Sequence, residues 1–242
     1  MKVLTAITPS DGAGVLAPVD PALPAGPQVF EQLKAAILDM TFPPGHPLSE
    51  PEIGATLGVS RTPVREAFAR LRAIELVMTL PSRGSYVTQL DAAKIKEAQF
   101  LREAIEVALV RQLALNGLPE ENAAQLRANL ENQAAAVRSR DFARFHQCDD
   151  AFHLALADAT GHRRTAIVLS QEKAQLDRLR MLSLQDETHL EKLFQDHLAI
   201  FEAIQQCDPD HAATLTRAHV QAILDVLDSL AQTHENYFSA TM

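Results

Sequence analysis

The sequence predicts a mainly α protein in two parts: an N-terminal winged helix-turn-helix, then an all-helical bundle of about six helices. Three observations predict it. Leu48–Thr88 reads as a capped helix, a tight turn, a longer Arg-studded helix and a hairpin tipped by Gly84. After Asp91, apolar residues recur at helical spacing and breaks fall where Gly or Pro interrupts. The first 27 residues carry five prolines and little periodicity, which marks a flexible tail. The domains are therefore a tail at 1–27, a winged helix-turn-helix at 28–88 and a helical domain at 89–242.

Val29–Met40 reads as the first helix, with Val29, Phe30, Leu33, Ile37 and Met40 near helical spacing. Phe42-Pro-Pro-Gly45 ends it. Ser49 and Glu52 form an S-x-x-E capping box, and Pro51 sits in the first turn, where a missing N–H costs little. Ile53 and Leu57 supply the buried side of this second helix, and Gly58 is placed to terminate it. Ser60 or Thr62 can cap the third helix, which turns Val64, Phe68 and Leu71 inward. Val77–Leu80 and Ser85–Thr88 read as strands around a Pro81-Ser-Arg-Gly84 turn. The later helices are expected at Ala92–Asn116, Pro119–Arg138, Asp141–Thr160, Arg163–Leu184, Thr188–Gln206 and Pro209–Thr233.

Bulk charge gives no hint of nucleic acid, since the formal net charge is -9. Its distribution does. Between Val59 and Thr88 five arginines (Arg61, Arg65, Arg70, Arg72, Arg83) face two glutamates, a local balance of 5 − 2 = +3. The chain has no Trp and is 5% aromatic, which argues against stacking platforms for single strands. No stretch approaches the ~18 apolar residues of a membrane span, and the N-terminus does not read as a signal peptide. Two cysteines without a CxxC partner suit reduced thiols in the cytoplasm.

A helix fits the major groove, and Arg grips guanine O6 and N7 bidentately. Arg61, Arg65 and Arg70 suit that work, with Thr62 for a phosphate or base, and Arg83 beside Gly84 at the wing tip for the minor groove. The alternative is a merely solvated helix face. LGVSRTPVREAFARL followed by PSRGSYV resembles the GntR family of bacterial transcription regulators over about Gln28–Thr88. The resemblance implies a winged helix-turn-helix homodimer on a short pseudo-palindromic operator in double-stranded DNA. Carried over by position, Arg61, Thr62, Arg65, Arg70, Arg83 and Gly84 are its DNA contacts. Pro51 stands where the family often has a polar or basic residue, and Ala73-Ile-Glu-Leu76 replaces a usual Gly-containing turn.

The helical part places histidines where apolar residues belong. Leu190, Leu193, Phe194, His197, Phe201 and Ile204 form one stripe; Leu215, His219, Ala222, Val226 and Leu230 form another. Asp149 and His153 share a helix face, although Asp150 at i,i+3 competes with Asp149. One such histidine is ordinarily a satisfied core residue. Three with a carboxylate are costly to bury unless paired or bound to a metal, and this donor set suits zinc, nickel or another divalent ion. Arg102 lies on the stripe Ile95, Ala98, Arg102, Ile105, Leu109. A buried guanidinium needs an anion, either a ligating carboxylate or a bound ligand; the alternative is a surface pair with Glu106 or Glu103.

These pieces, namely Arg102 with Glu106, Asp149-x3-His153, His197 in DHLAIFEAI and His219 in RAHV, resemble the FadR subfamily of GntR regulators over roughly Ala92–Leu230, with its FCD effector domain. The resemblance implies that Asp149, His153, His197 and His219 bind a divalent metal and that a small carboxylate effector sits beside it, with Arg102 as effector-binding residue. His162 stands where Asn is common, and Arg178 or Arg180 is a further candidate cation. The whole reads as a cytoplasmic, ligand-responsive regulator, in this family most often a repressor, that is not an enzyme and has no membrane partner. The rival readings are a metal-dependent enzyme whose ion activates water and a regulator whose polar cluster holds no metal.

Overall fold

The computed structural model describes residues 16–183 and 187–239. Residues 1–15 of the expected tail and Leu184 of the expected Arg163–Leu184 helix lie outside them. The described chain is mostly helical and falls into two compact units, the described residues up to 92 with those from 231, and those between 93 and 230.

In the first unit α1 (Ala25–Leu38) buries Val29, Phe30, Leu33 and Ile37 and packs on α3 (Arg61–Ala73), which turns Val64, Phe68 and Leu71 inward. Between them lies α2 (Glu50–Leu57). Ser49 Oγ accepts the Glu52 N–H at 3.4 Å, and Gly58 ends the helix in the left-handed region at φ 69°. The turn to α3 follows from that reversal. The wing is an antiparallel sheet in the order β1-β3-β2, from β1 (Pro47–Leu48), β2 (Val77–Leu80) and β3 (Gly84–Val87). Val77 pairs with Val87 and Leu80 with Gly84, and Gly84 itself sits at φ 98°, which favours glycine. The two-residue β1 is not visible as a strand in the sequence. It forms because Gly45 N–H bonds Val87 O and Val87 N–H bonds His46 O, covering the hairpin's open edge.

Two expected boundaries move. Residues 16–24, assigned to the tail, lie against the module: Val19 N–H donates to Leu57 O at 3.1 Å, and Ala17 exchanges two hydrogen bonds with the Gln32 amide. The C-terminal end of the expected 89–242 domain belongs to the first unit. Leu90 N–H donates to Tyr237 O and Ser239 N–H to Leu90 O, both at 2.8 Å.

The second unit holds α4 (Ala92–Asn116), α5 (Glu120–Ser139), α6 (Phe142–Ala159), α7 (Arg163–Ser183), α8 (Glu187–Gln205) and α9 (Pro209–Thr233) for nearly all their length. Its core joins Val110, Leu126, Phe152, Leu156, Ile200 and Phe201. The breaks fall where the sequence put them, at the Gly117 and Gly161 turns and before Pro209. Asp141 caps α6 by accepting the Arg144 N–H at 3.0 Å, and Asp208 accepts the His211 N–H at 3.0 Å at the start of α9. Among the described residues no helix is long and apolar enough to cross a membrane.

The turn after α3 keeps its left-handed residue although glycine is missing: Glu75 adopts φ 57°, and its carbonyl accepts the Thr88 hydroxyl at 2.6 Å. An L-residue there carries a steric penalty on the order of 1 kcal/mol. Glu75→Gly removes that penalty and keeps the main-chain acceptor, against some loss to glycine's freedom in the unfolded chain. It is expected to stabilise the unit by about 0.5 kcal/mol. Both tyrosines of the chain, Tyr86 and Tyr237, lie in this unit, so urea unfolding followed by tyrosine fluorescence reads the change.

Candidate functional site

On the outer side of α3, Arg61, Thr62 and Arg65 are exposed at the start of the helix. Arg65 Nε donates to Glu50 Oε2 at 2.8 Å, at the entry to α2. Arg83 and Gly84 are exposed at the tip of the wing, and the Tyr86 hydroxyl donates to Arg83 O at 2.8 Å, bracing the turn. Arg70 stands apart from the others. Its guanidinium stacks 3.7 Å over the Phe30 ring, on the flank facing α1. At 100° per residue it is Arg72, eleven residues after Arg61, that shares the face of Arg61 and Arg65. Arg72 Nη1 donates to Thr79 Oγ1 of β2 at 3.3 Å, linking that face to the wing. Arg72 counts among the five arginines of this module but not among the contacts carried over by resemblance; a helical projection places it on their face.

In the second unit Asp149, His153, His197 and His219 converge, all buried, with their ligand atoms within 4.8 Å of one another. His219 Nε2 lies 3.1 Å from His197 Nε2 and 3.3 Å from His153 Nε2. Asp149 Oδ1 lies 3.4 Å from His197 Nε2 and 3.9 Å from His153 Nε2. Phe152 stacks on His197 and closes the cluster toward the core. Asp149 lies in this group, while Asp150 pairs with Lys173 of α7.

Each of the four is held from behind. His197 Nδ1 is 2.8 Å from Gln133 Oε1. That amide cannot be reversed at no cost, because Gln133 Nε2 donates to Asn129 Oδ1 at 2.7 Å and Asn129 Nδ2 donates to Cys148 O at 2.9 Å. His219 Nδ1 faces Asp196 Oδ2 at 3.4 Å, His153 Nδ1 faces Glu106 Oε2 at 2.7 Å, and Arg180 Nη1 donates to Asp149 Oδ2 at 3.1 Å. Acceptors behind all three imidazoles favour the Nδ1–H tautomer, which points three Nε2 lone pairs at one another. Burial lowers the pKa of His197 well below the ordinary histidine value, with His219 and His153 adding to it. Burial lowers His219 too, against the pull of Asp196. Imidazoles with converging Nε2 atoms and one carboxylate are a donor set for a divalent cation.

Arg102 does pair with Glu106, but the pair is buried, not on the surface: the side chains are 8% and 4% exposed. Burial alone would raise the Glu106 carboxyl; Arg102 and His153 hold it well below the usual carboxylate range. Glu106 takes the Arg102 Nε–H through Oε1, and the two terminal nitrogens form no hydrogen bond with the described residues. Arg102 lines two cavities of the helical unit. Arg180 lines both as well, whereas Arg178 is wholly buried and burial brings its guanidinium down to about 10. His162 sits on the turn after α6, where its Nε2 meets Gln112 Oε1 of α4 at 3.0 Å. A second acidic group, His146, Asp150 and Asp177, is threaded by Lys173, and burial pushes Asp177 up to about 7 against that cation's pull.

The sequence reading missed Gln133, Asn129 and Asp196. Gln133 was within reach, since it is a polar residue on the buried α5 stripe of Leu126 and Leu130.

Comparison with known proteins covers both units. A family model described as bacterial regulatory proteins, gntR family, matches residues 26–87, and an FCD domain model matches residues 97–222. The chain is 33% identical over 221 residues to the HTH-type transcriptional repressor RspR of Escherichia coli (strain K12), covering 91% of this chain and 96% of that protein. It is 34% identical over 206 residues to an HTH-type transcriptional regulator in an unstable DNA locus of Streptomyces ambofaciens, covering 84% of each. The crystal structure of a GntR transcriptional regulator from Rhodococcus sp. RHA1 superimposes with a TM-score of 0.73 at 26% identity, covering 84% of this chain and 98% of that one.

Proposed function

Because the chain belongs to the GntR family of bacterial transcription regulators and carries an FCD domain, we propose that it is a ligand-responsive repressor of the FadR subfamily. It acts as a homodimer on a short pseudo-palindromic operator. The family is one of regulators and not enzymes, which sets aside the hydrolytic reading of the His/Asp cluster. The observation that carries the effector reading is the buried Arg102, anchored through Nε and open at its terminal nitrogens beside the four clustered ligands.

Asp149, His153, His197 and His219 are the residues that hold a divalent metal, zinc or nickel by donor type. A bound ion would supply a positive charge that favours an effector carboxylate. Around it Arg102 orients the anion through its terminal N–H groups, and Glu106 keeps that guanidinium from swinging. Gln133, Asp196 and Glu106 keep the imidazole protons on the outer nitrogens. The chain passes between the two units at residues 92 and 231, the start of α4 and the end of α9, which carry Arg102 and His219. A shift of these helices on effector binding changes the spacing of the two recognition helices in the dimer. Half-sites about one helical turn apart then no longer match.

On the DNA side Arg61, Thr62 and Arg65 read the major groove and Arg83 with Gly84 enters the minor groove. Arg70 serves the α1–α3 packing more directly than the DNA, and Arg72 joins the reading face.

Three outcomes test this. Zinc or nickel added to protein purified without a metal-affinity tag raises Tm, in keeping with ~2.7 kcal/mol at a hundredfold excess over Kd. His219→Ala abolishes that rise, and an equal rise in the variant would remove the metal site. Arg65→Ala weakens operator binding by ~1–3 kcal/mol in gel-shift titrations and blunts preference over scrambled DNA; a wild type indifferent to sequence would sink the operator reading. Arg102→Ala leaves operator affinity intact and removes the response to a cognate carboxylate; an unchanged response would show that Arg102 is not the clamp.

A further inference from the structure

We propose that the outer face of α4 is the surface on which two copies of this chain meet, the two helices crossing antiparallel about a two-fold axis at Ala104. This rests on the homodimer reading above and adds the surface and its register. α4 is apolar on two sides. One side buries Ile95, Ala98, Leu109 and Leu113. The other leaves Leu101, Ala104, Ala108 and Leu115 exposed, with Phe100 beside them at 70% exposure. Glu97 and Arg111 lie on the same stripe, which runs 97, 101, 104, 108, 111, 115 in alternating steps of four and three. Such spacing keeps a seam in line along a helix, and a helix apolar all round is ordinarily covered all round. Among the described residues of the second unit, the exposed large hydrophobic side chains are three on α4 and Ile167 of α7. The neighbours of Ile167, Ala166 and Leu169, pack against Ile105 and Leu109 of α4. Apolar surface gathered in this way marks an interaction site.

The stripe is complementary to itself about Ala104, which is what selects a second copy as the occupant. A two-fold axis there sets each residue against the one equally far along on the other side. Glu97 faces Arg111 of the second copy, since 104 − 97 = 111 − 104. Phe100 faces Ala108 in the same way, so a large side chain meets a small one, and Leu101 faces Val107. An alanine at the crossing point lets two helices approach to ~8 Å between axes. Moving the axis one turn along, to Ala108, sets Glu97 against Pro119 and Arg111 against Ile105, and the charge match is lost. Arg111 is available for this pairing. Its own contact, Nη2 to Asp210 Oδ1 at 3.0 Å, joins side chains that are 51% and 80% exposed, and such pairs hold weakly.

Three measurements on the full chain test this. Analytical ultracentrifugation of the wild type gives a dimer; a monomer at every concentration overturns this face and the homodimer reading with it. With Cys148 and Cys207 replaced by Ser, Ala104→Cys is expected to give a disulfide-linked pair on oxidation with diamide, because Cα atoms within ~7 Å can be bridged. Ala128→Cys, on the exposed side of α5, is expected to stay unlinked. A dimer that links equally through residue 128, or not at all through residue 104, overturns the α4 crossing and leaves the homodimer reading standing. Glu97→Arg and Arg111→Glu each set like charges opposite one another across the axis and should each weaken the dimer about tenfold or more. The double exchange restores the opposite pairs and should return the dimer to within about threefold of the wild type. Circular dichroism checks that each variant keeps its helix content. Single exchanges that leave the dimer unchanged, or that weaken it without recovery in the double, overturn the Glu97–Arg111 register.

Discussion

Three imidazoles and a carboxylate in the middle of an apolar helical bundle are tolerable only when each is held from behind by another polar group. Here Glu106, Gln133, Asp196 and Arg180 do the holding, from α4, α5, α8 and α7, while the four inner groups come from α6, α8 and α9. Every helix of the bundle is therefore committed to one cluster. That commitment explains features with no other reason in an apolar core, including a fully buried glutamine and a buried Arg–Glu pair. A buried ion pair does not by itself favour folding over a hydrophobic replacement. Its retention at this place is more readily understood as orientation of the groups around it than as stability.

Much of the fold was legible because helix periodicity and helix breakers are local signals. The expected spans Ala92–Asn116 and Pro209–Thr233 coincide with α4 and α9, and the Gly58 turn stands where it was read. What escaped was non-local. A two-residue strand beginning with Pro47 has no periodicity to detect and exists only because the hairpin edge accepts it. The return of Ser239 to Leu90 spans most of the chain and leaves no trace in either segment's pattern. The candidate site divides in the same way. The four inner groups interrupt apolar stripes and were visible. Asp196 was not, because it flanks its stripe, and Glu106 was read only as a partner of Arg102, since i,i+4 pairs are common on helices.

The DNA-facing module shows how a charge count can mislead in both directions. The whole chain's -9 conceals the positive balance of α3 and the wing. Within that module, counting arginines also misassigns one of them. Arg70 and Arg72 are two residues apart and therefore point to different sides of the helix, one onto Phe30 and one toward β2. Arg stacked on an aromatic ring contributes through packing as well as charge. Its value to the α1–α3 contact is independent of any nucleic acid.

Glu106 has two carboxylate oxygens: Oε1 accepts from Arg102 Nε, and Oε2 lies 2.7 Å from His153 Nδ1. A carboxylate shared in this way cannot strengthen its hold on one neighbour without moving the other, since its oxygens are fixed relative to each other. An anion drawn onto the terminal nitrogens of Arg102 reduces the charge that Glu106 feels through Oε1 and leaves more of its field for His153. By reciprocity of linkage, whatever firms the His153 contact with Glu106 favours an anion at the terminal nitrogens of Arg102. The two ends of the site are thus joined by a single side chain on α4, close to the point where the chain enters the helical unit.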